Sequence, residues 1–138
     1  MRAKEYLKQI QNIHIRIENK RERLEKIKTI LTSPTVGELK QDKVMTSIRL
    51  DKQEQMMVEQ ADLEEELQSL MYEEAELIIK IGKQIDGMEN SMYSRILHLR
   101  YEEHLSLYDI TEKMGYSYDY VRELHGRALQ KFANNYLN

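Results

Sequence analysis

An all-α fold is what this sequence predicts, and three observations predict it. Helix-forming residues dominate, with a single proline, Pro34, and five glycines in 138 residues. Through the first two thirds of the chain, apolar residues recur at alternating three- and four-residue spacing, the pattern of a helix with one buried seam. Further on, Ser106, Gly115 and Ser117 fall where short helices need a cap, a tight turn and a second cap. The balance of 33 % charged and 41 % hydrophobic residues suits long helices with narrow seams better than a thick globular core.

The expected arrangement is an antiparallel helical hairpin of coiled-coil type over residues 1–86, followed by a tri-helical helix-turn-helix over residues 90–138. The first helix runs from about Ala3 to Leu31, with Ala3, Tyr6, Ile10, Ile13, Ile17, Leu24, Ile27 and Leu31 as its seam. Lys20 interrupts that seam. It either fixes register or simply reaches out to water. Pro34 and Gly37 break the helix within residues 32–42. Lys43 to Asp51 reads equally as a short helix or an ordered loop. The second long helix, about Asp51 to Ile85, has Met56, Leu63, Leu67, Leu70, Leu77 and Ile81 on its seam, with Gln60 and Glu74 interrupting and Met71, Ile78 and Ile85 widening it. Residues 82–90 contain two glycines and form the best candidate linker.

Charge is segregated along the chain. Residues 1–31 carry nine basic and four acidic side chains, and residues 51–89 carry three basic and twelve acidic ones. A basic helix and an acidic helix are suited to pair with each other. Residues 91–138 carry six of each. The chain has no cysteine, so disulfides and thiolate metal sites are excluded and a reducing cytoplasm is the expected location. No segment approaches the roughly 20 apolar residues that a membrane span needs, and no signal peptide is expected at the N-terminus.

The last third is the most specific. A helix from about Ser91 to Glu103, capped by Asn90 or Ser91, would bury Met92, Ile96, Leu97 and Leu99, with Tyr101 at the edge. Ser106 caps a short helix, Leu107 to Met114, whose first turn holds Asp109. After a four-residue turn containing Gly115, Ser117 caps a last helix of about Tyr118 to Asn134. Val121, Leu124, Ala128, Leu129 and Phe132 form its inner face. Its outer face would show Tyr118, Asp119, Arg122, Glu123, Arg127 and Gln130/Lys131. A second helix that is polar on its outer side is what a unit inserting into a major groove about 12 Å wide requires.

The stretches Ile96–Tyr101, Leu105–Thr111, Met114–Ser117 and above all Val121–Phe132 resemble region 4 of bacterial sigma factors and the related LuxR-like tri-helical units. The whole arrangement is similar to small regulators of Gram-positive prophages and mobile elements, such as RinA/ArpU-type late-gene activators. The resemblance implies double-stranded DNA as partner, with Ser117, Tyr118, Asp119, Arg122, Glu123, Arg127 and Lys131 as the DNA-binding residues. Arg122 falls where a base- or phosphate-contacting arginine stands in that pattern. Arg127 and Lys131 fall at backbone-contacting basic positions, and Ser117 at a capping residue near a phosphate. Tyr118 departs from the pattern, which often has a basic residue there. A homodimer with half-sites about 10 base pairs apart is expected, with the hairpin dimerising or contacting RNA polymerase.

Other readings compete. A phage-type small terminase subunit also joins a helix-turn-helix to oligomerising helices, and a protein-only adaptor would use the last helix without DNA. The neutral tail counts against simple DNA binding, because affinity for DNA comes largely from neutralising phosphates. Tyr116, Tyr118 and Tyr120 suggest a platform for single-stranded nucleic acid, but residues so spaced on a helix start do not share one face. His14, His98, His104 and His125 lack metal-ligand spacing. The Glu64–Glu66 run and Glu73-Glu74 read as a solvated helix face rather than as a cation site. No phosphate-binding glycine loop, nucleophile elbow or HExxH motif occurs in the sequence. Neither catalytic residues nor a cofactor or metal site is expected.

Overall fold

A computed structural model describes residues 2–33 and 43–138, without the side chains of residues 43–46. The expected break at Pro34 and Gly37 lies outside the described residues. Those described are helical with no strand among them. Helix α1 spans Ala3–Leu31 and α2 spans Lys43–Asp86. Helix α3 spans Ser91–Leu97 and continues as a π-helical turn over His98–Glu102. Helix α4 spans Leu107–Met114 and α5 spans Tyr118–Tyr136.

The ambiguous stretch from Lys43 to Asp51 is part of α2. No proline or glycine stands between Lys43 and Ile81, so nothing interrupts the backbone ladder there. Gly82 is also helical, and α2 ends only at Asp86.

By packing, the chain divides into two compact units, residues 15–72 and residues 1–14 with 73–138. In the first unit Ile17, Leu24 and Leu63 are buried, and Met56, Leu67 and Leu70 are half-buried. Lys20 does not reach free into water: its Nζ lies 2.6 Å from Oε2 of Glu66. The exposed run around Glu64 and Glu65 is a solvated face, with Glu66 held by this pair. Met71, expected to widen the seam, is 44 % exposed. It lies one residue past Leu70, where the helix has already turned outward.

The second unit has a continuous core. Ala3, Leu7 and Ile10 from α1 and Ile81, Ile85 and Met88 pack with Ile96, Leu97, Leu99, Tyr101, Ile110, Val121, Leu124, Ala128 and Phe132. The tri-helical tail therefore shares its core with the start of α1 and the end of α2. Ile78 joins neither core and is 41 % exposed, for the same angular reason as Met71. Polar contacts reinforce the packing. The Tyr6 hydroxyl donates to Oε1 of Gln84 at 2.6 Å, and the Ser94 hydroxyl donates to the carbonyl of Ile85 at 2.9 Å. Rings of Tyr6 and Phe132 lie 5.8 Å apart, and those of Phe132 and Tyr136 lie 4.9 Å apart.

Tyr101 is fully buried rather than at the edge. Regular helix ends at Leu97, and the N–H of Glu103 donates to the carbonyl of His98, five residues back, at 3.0 Å. This wider turn rotates each residue through a smaller angle. Tyr101 is thereby brought back over the face that Ile96 and Leu97 bury. The turn closes with His104 at φ 60°, the N–H of Leu105 donating to the carbonyl of Leu99 at 3.1 Å, and Arg100 donating to the carbonyl of Leu105 at 3.0 Å.

Candidate nucleic-acid interface

The local chemistry of α4, the turn and α5 fixes their geometry. Ser106 is the N-cap of α4: its hydroxyl accepts from the N–H of Asp109 at 3.1 Å, and the Asp109 carboxylate accepts from the N–H of Ser106 at 3.4 Å. This reciprocal capping box satisfies two backbone donors that helix geometry leaves without partners. Gly115 ends α4 at φ 74°, and its N–H donates to the carbonyl of Thr111 at 2.9 Å. A side chain there would be strained, so the glycine is what permits the sharp turn. Ser117 then caps α5, its hydroxyl accepting from the N–H of Tyr120 at 3.2 Å. The connection is three residues long, Gly115 to Ser117, one fewer than the spacing suggested.

Helix α5 buries Val121, Leu124, Ala128 and Phe132 along one stripe. That stripe fixes what faces away. Ser117, Asp119, Arg122, Glu123, Arg127 and Lys131 are exposed, and Tyr118 is half-buried. All seven residues singled out from the sequence thus lie on or beside the outer side of one helix. Arg127 forms an ion pair with Glu123 at 2.5 Å, one helical turn away. A pair this exposed is worth little and is easily exchanged for another partner.

Four tyrosines surround the start of α5. Tyr108, on α4, stacks on Tyr118 with ring centroids 4.5 Å apart and planes 13° from parallel. Tyr116 and Tyr120 meet at 5.0 Å and 59°. The two pairs are oriented differently, so the three tyrosines of the helix start do not form a single flat platform.

A second polar feature lies inside the unit, and sequence spacing did not reveal it. The Tyr101 hydroxyl and Nε2 of His125 are 2.8 Å apart. Burial pushes the Tyr101 phenol up to about 12, with a smaller opposing effect from Arg100. Burial also lowers His125 to about 4, assisted by the positive charges of Arg100 and Lys4. Both shifts favour a neutral phenol donating to a neutral imidazole. His125 therefore anchors α5 to the π-helical turn and is not on the outward face. Only the depth of Tyr101 would have revealed this, and that depends on the π-helical turn.

The other histidines are also structural. Nδ1 of His14 lies 3.2 Å from Glu74, and the His14 and His104 rings stack at 4.5 Å. His98 contacts Glu102 and Glu103 at 3.4 and 3.3 Å. Among the described residues no group of three or more His, Asp or Glu side chains could hold a metal ion, and no helix is long and apolar enough to cross a membrane.

Three helices around one small core, with a glycine turn between the last two and a polar outer face on the last, define a helix-turn-helix. Residues 94–133 match the protein family Sigma-70, region 4, a DNA-binding helix-turn-helix domain. The match starts within α3, takes in the π-helical turn, α4 and the glycine turn, and ends one residue past the buried Phe132. No curated protein and no solved structure matches the chain.

Proposed function

We propose that this chain is a sequence-specific, double-stranded DNA-binding transcription regulator that presents α5 to the major groove. The observation that carries the reading is the outer face of α5. It is exposed and mixed in charge, and it lies on a helix whose opposite stripe is locked into the core of a domain matching Sigma-70, region 4. Arg122 is the residue assigned to base reading. Exposed and one turn into the helix, it has the donor fork that suits guanine O6 and N7. Arg127 and Lys131 are assigned to phosphates, and Ser117 to a phosphate near the helix start. Asp119 and Glu123 select against wrong bases through their charge and can accept from cytosine N4. Tyr118 completes the set.

In this proposal residues 90–138 form the DNA-binding part and residues 1–86 the part that makes a homodimer or meets RNA polymerase. The kinship with prophage late-gene regulators of the RinA/ArpU type and a cytoplasmic location belong to the same proposal. No catalytic group, metal or cofactor takes part. Selection from a pool of random duplex DNA at two salt concentrations tests it. The expected result is an enriched motif whose recovery weakens with salt. Failure to enrich any motif at either salt concentration would overturn the proposal in favour of an adaptor that binds only protein.

A further inference from the structure

Tyr118 and Tyr108 are well placed to do more than support the turn. Tyr108 is 69 % exposed although it is a large ring on a short helix, and its neighbour in space is Tyr118 on the next helix. The nearly parallel stack holds each ring against the other, so little side-chain freedom remains to be lost when a ligand arrives. On α5, Tyr118 starts an i, i+4 ridge that continues through Arg122, Gly126 and Gln130. A methyl group added at Gly126 would meet nothing within 4 Å, so the protein itself leaves that part of the ridge open to close approach. The ridge thus runs from an aromatic edge to a cation, then bare backbone, then an amide.

Of the groups that base pairs show in the major groove, the thymine C5-methyl is the apolar one. A braced aromatic edge beside Arg122 suits it. A single-stranded ligand suits the geometry less well, since stacking needs successive open ring faces. Here Tyr108 covers one face of Tyr118, and Tyr116 is tilted against Tyr120. The equal numbers of basic and acidic residues in the tail point the same way, because a module with little net charge must draw its affinity from base contacts more than from phosphates.

We propose that the Tyr108–Tyr118 stack is a specificity device that reads one thymine methyl next to the base contacted by Arg122. This inference rests on the reading of the chain as a duplex-DNA regulator. Its test uses the full chain and the duplex recovered by selection, with each thymine replaced in turn by deoxyuridine, which lacks only the methyl. At one thymine the affinity should fall roughly four-fold, the worth of one buried methyl. That sensitivity should vanish in Tyr118→Ala, shrink in Tyr108→Ala and persist in Tyr116→Ala. The replacement on the unaltered protein needs no variant, so a folding defect cannot mimic the result. A selected site that lacks thymine, or that tolerates deoxyuridine everywhere, would overturn the thymine reading and leave the regulator reading intact. Equal deoxyuridine sensitivity in Tyr118→Ala would also overturn it. If no duplex is selected at all, both readings fall together.

Discussion

At the scale of single residues, Tyr101 and His125 join the π-helical turn to α5. Because His125 is held below its ordinary value of 6.5, at about 4, the unfolded chain takes up its proton first as pH falls. Between those two values the unfolded state binds more protons than the native state, so stability rises with pH and is lost on acidification from about 6.5 towards 4. Chemical denaturation across that window should show a falling midpoint, with a shallower fall in His125→Gln. An identical pH profile in the variant would mean that His125 is not the group responsible. Gly126 makes a second residue-scale case. It lies in the interior of α5 on the exposed side, and helical glycine costs about 1 kcal/mol relative to alanine. Gly126→Ala should therefore raise stability by about that amount in urea unfolding. If the stabilised variant also binds DNA more weakly, the loss must come from the added methyl at the interface. These residues set the limit of what spacing reveals. The outward set on α5 was legible because Val121, Leu124, Ala128 and Phe132 fix the opposite stripe. The burial of Tyr101 was not, because α-helical periodicity does not foresee a π-helical turn.

At the scale of elements, the seams of α1 and α2 and the caps of α4 and α5 were the most legible features. Side chains that bury at alternating three- and four-residue intervals leave a direct trace in sequence, and so do a serine at an N-cap and a glycine at positive φ. The exposed positions of Met71 and Ile78 were less legible. Both are apolar, but each lies just past a seam residue, and hydrophobicity alone does not say which side of the seam a helix turns. The caps are also where a small change has a calculable effect. Ser106→Ala removes the hydroxyl that accepts from Asp109 and with it the capping box. The expected loss is about 1 kcal/mol, read as a lower thermal midpoint with the helical signal of the folded state unchanged. A variant as stable as the parent would show that α4 is held by the packing of Leu107, Ile110 and Met114 rather than by its cap.

At the scale of the whole molecule, the distribution of charge governs how DNA would be bound. The fold class, the boundaries of the last helix and its outward residues were legible from the sequence. The part that α1 plays in the shared core was not, because contacts between distant segments leave no periodic trace: Ala3, Leu7 and Ile10 bury with the tail residues although some eighty or more positions separate them. The outer face of α5 offers three cations, Arg122, Arg127 and Lys131, beside Asp119 and Glu123. With Arg122 on a base, the two phosphate contacts of Arg127 and Lys131 in each module would give a slope of about −2 in log affinity against log salt, by the counterion-release relation. A slope near −10 would place most of the binding charge elsewhere in the chain. The central claim, that α5 reads bases through Arg122, is tested most directly by titrating a labelled duplex carrying the selected site with the parent chain and with Arg122→Ala, following fluorescence anisotropy at fixed salt. The expected loss is about 1–3 kcal/mol for the variant on that site, and much smaller on a duplex of unrelated sequence. Equal affinity of the two proteins for the selected site would contradict it.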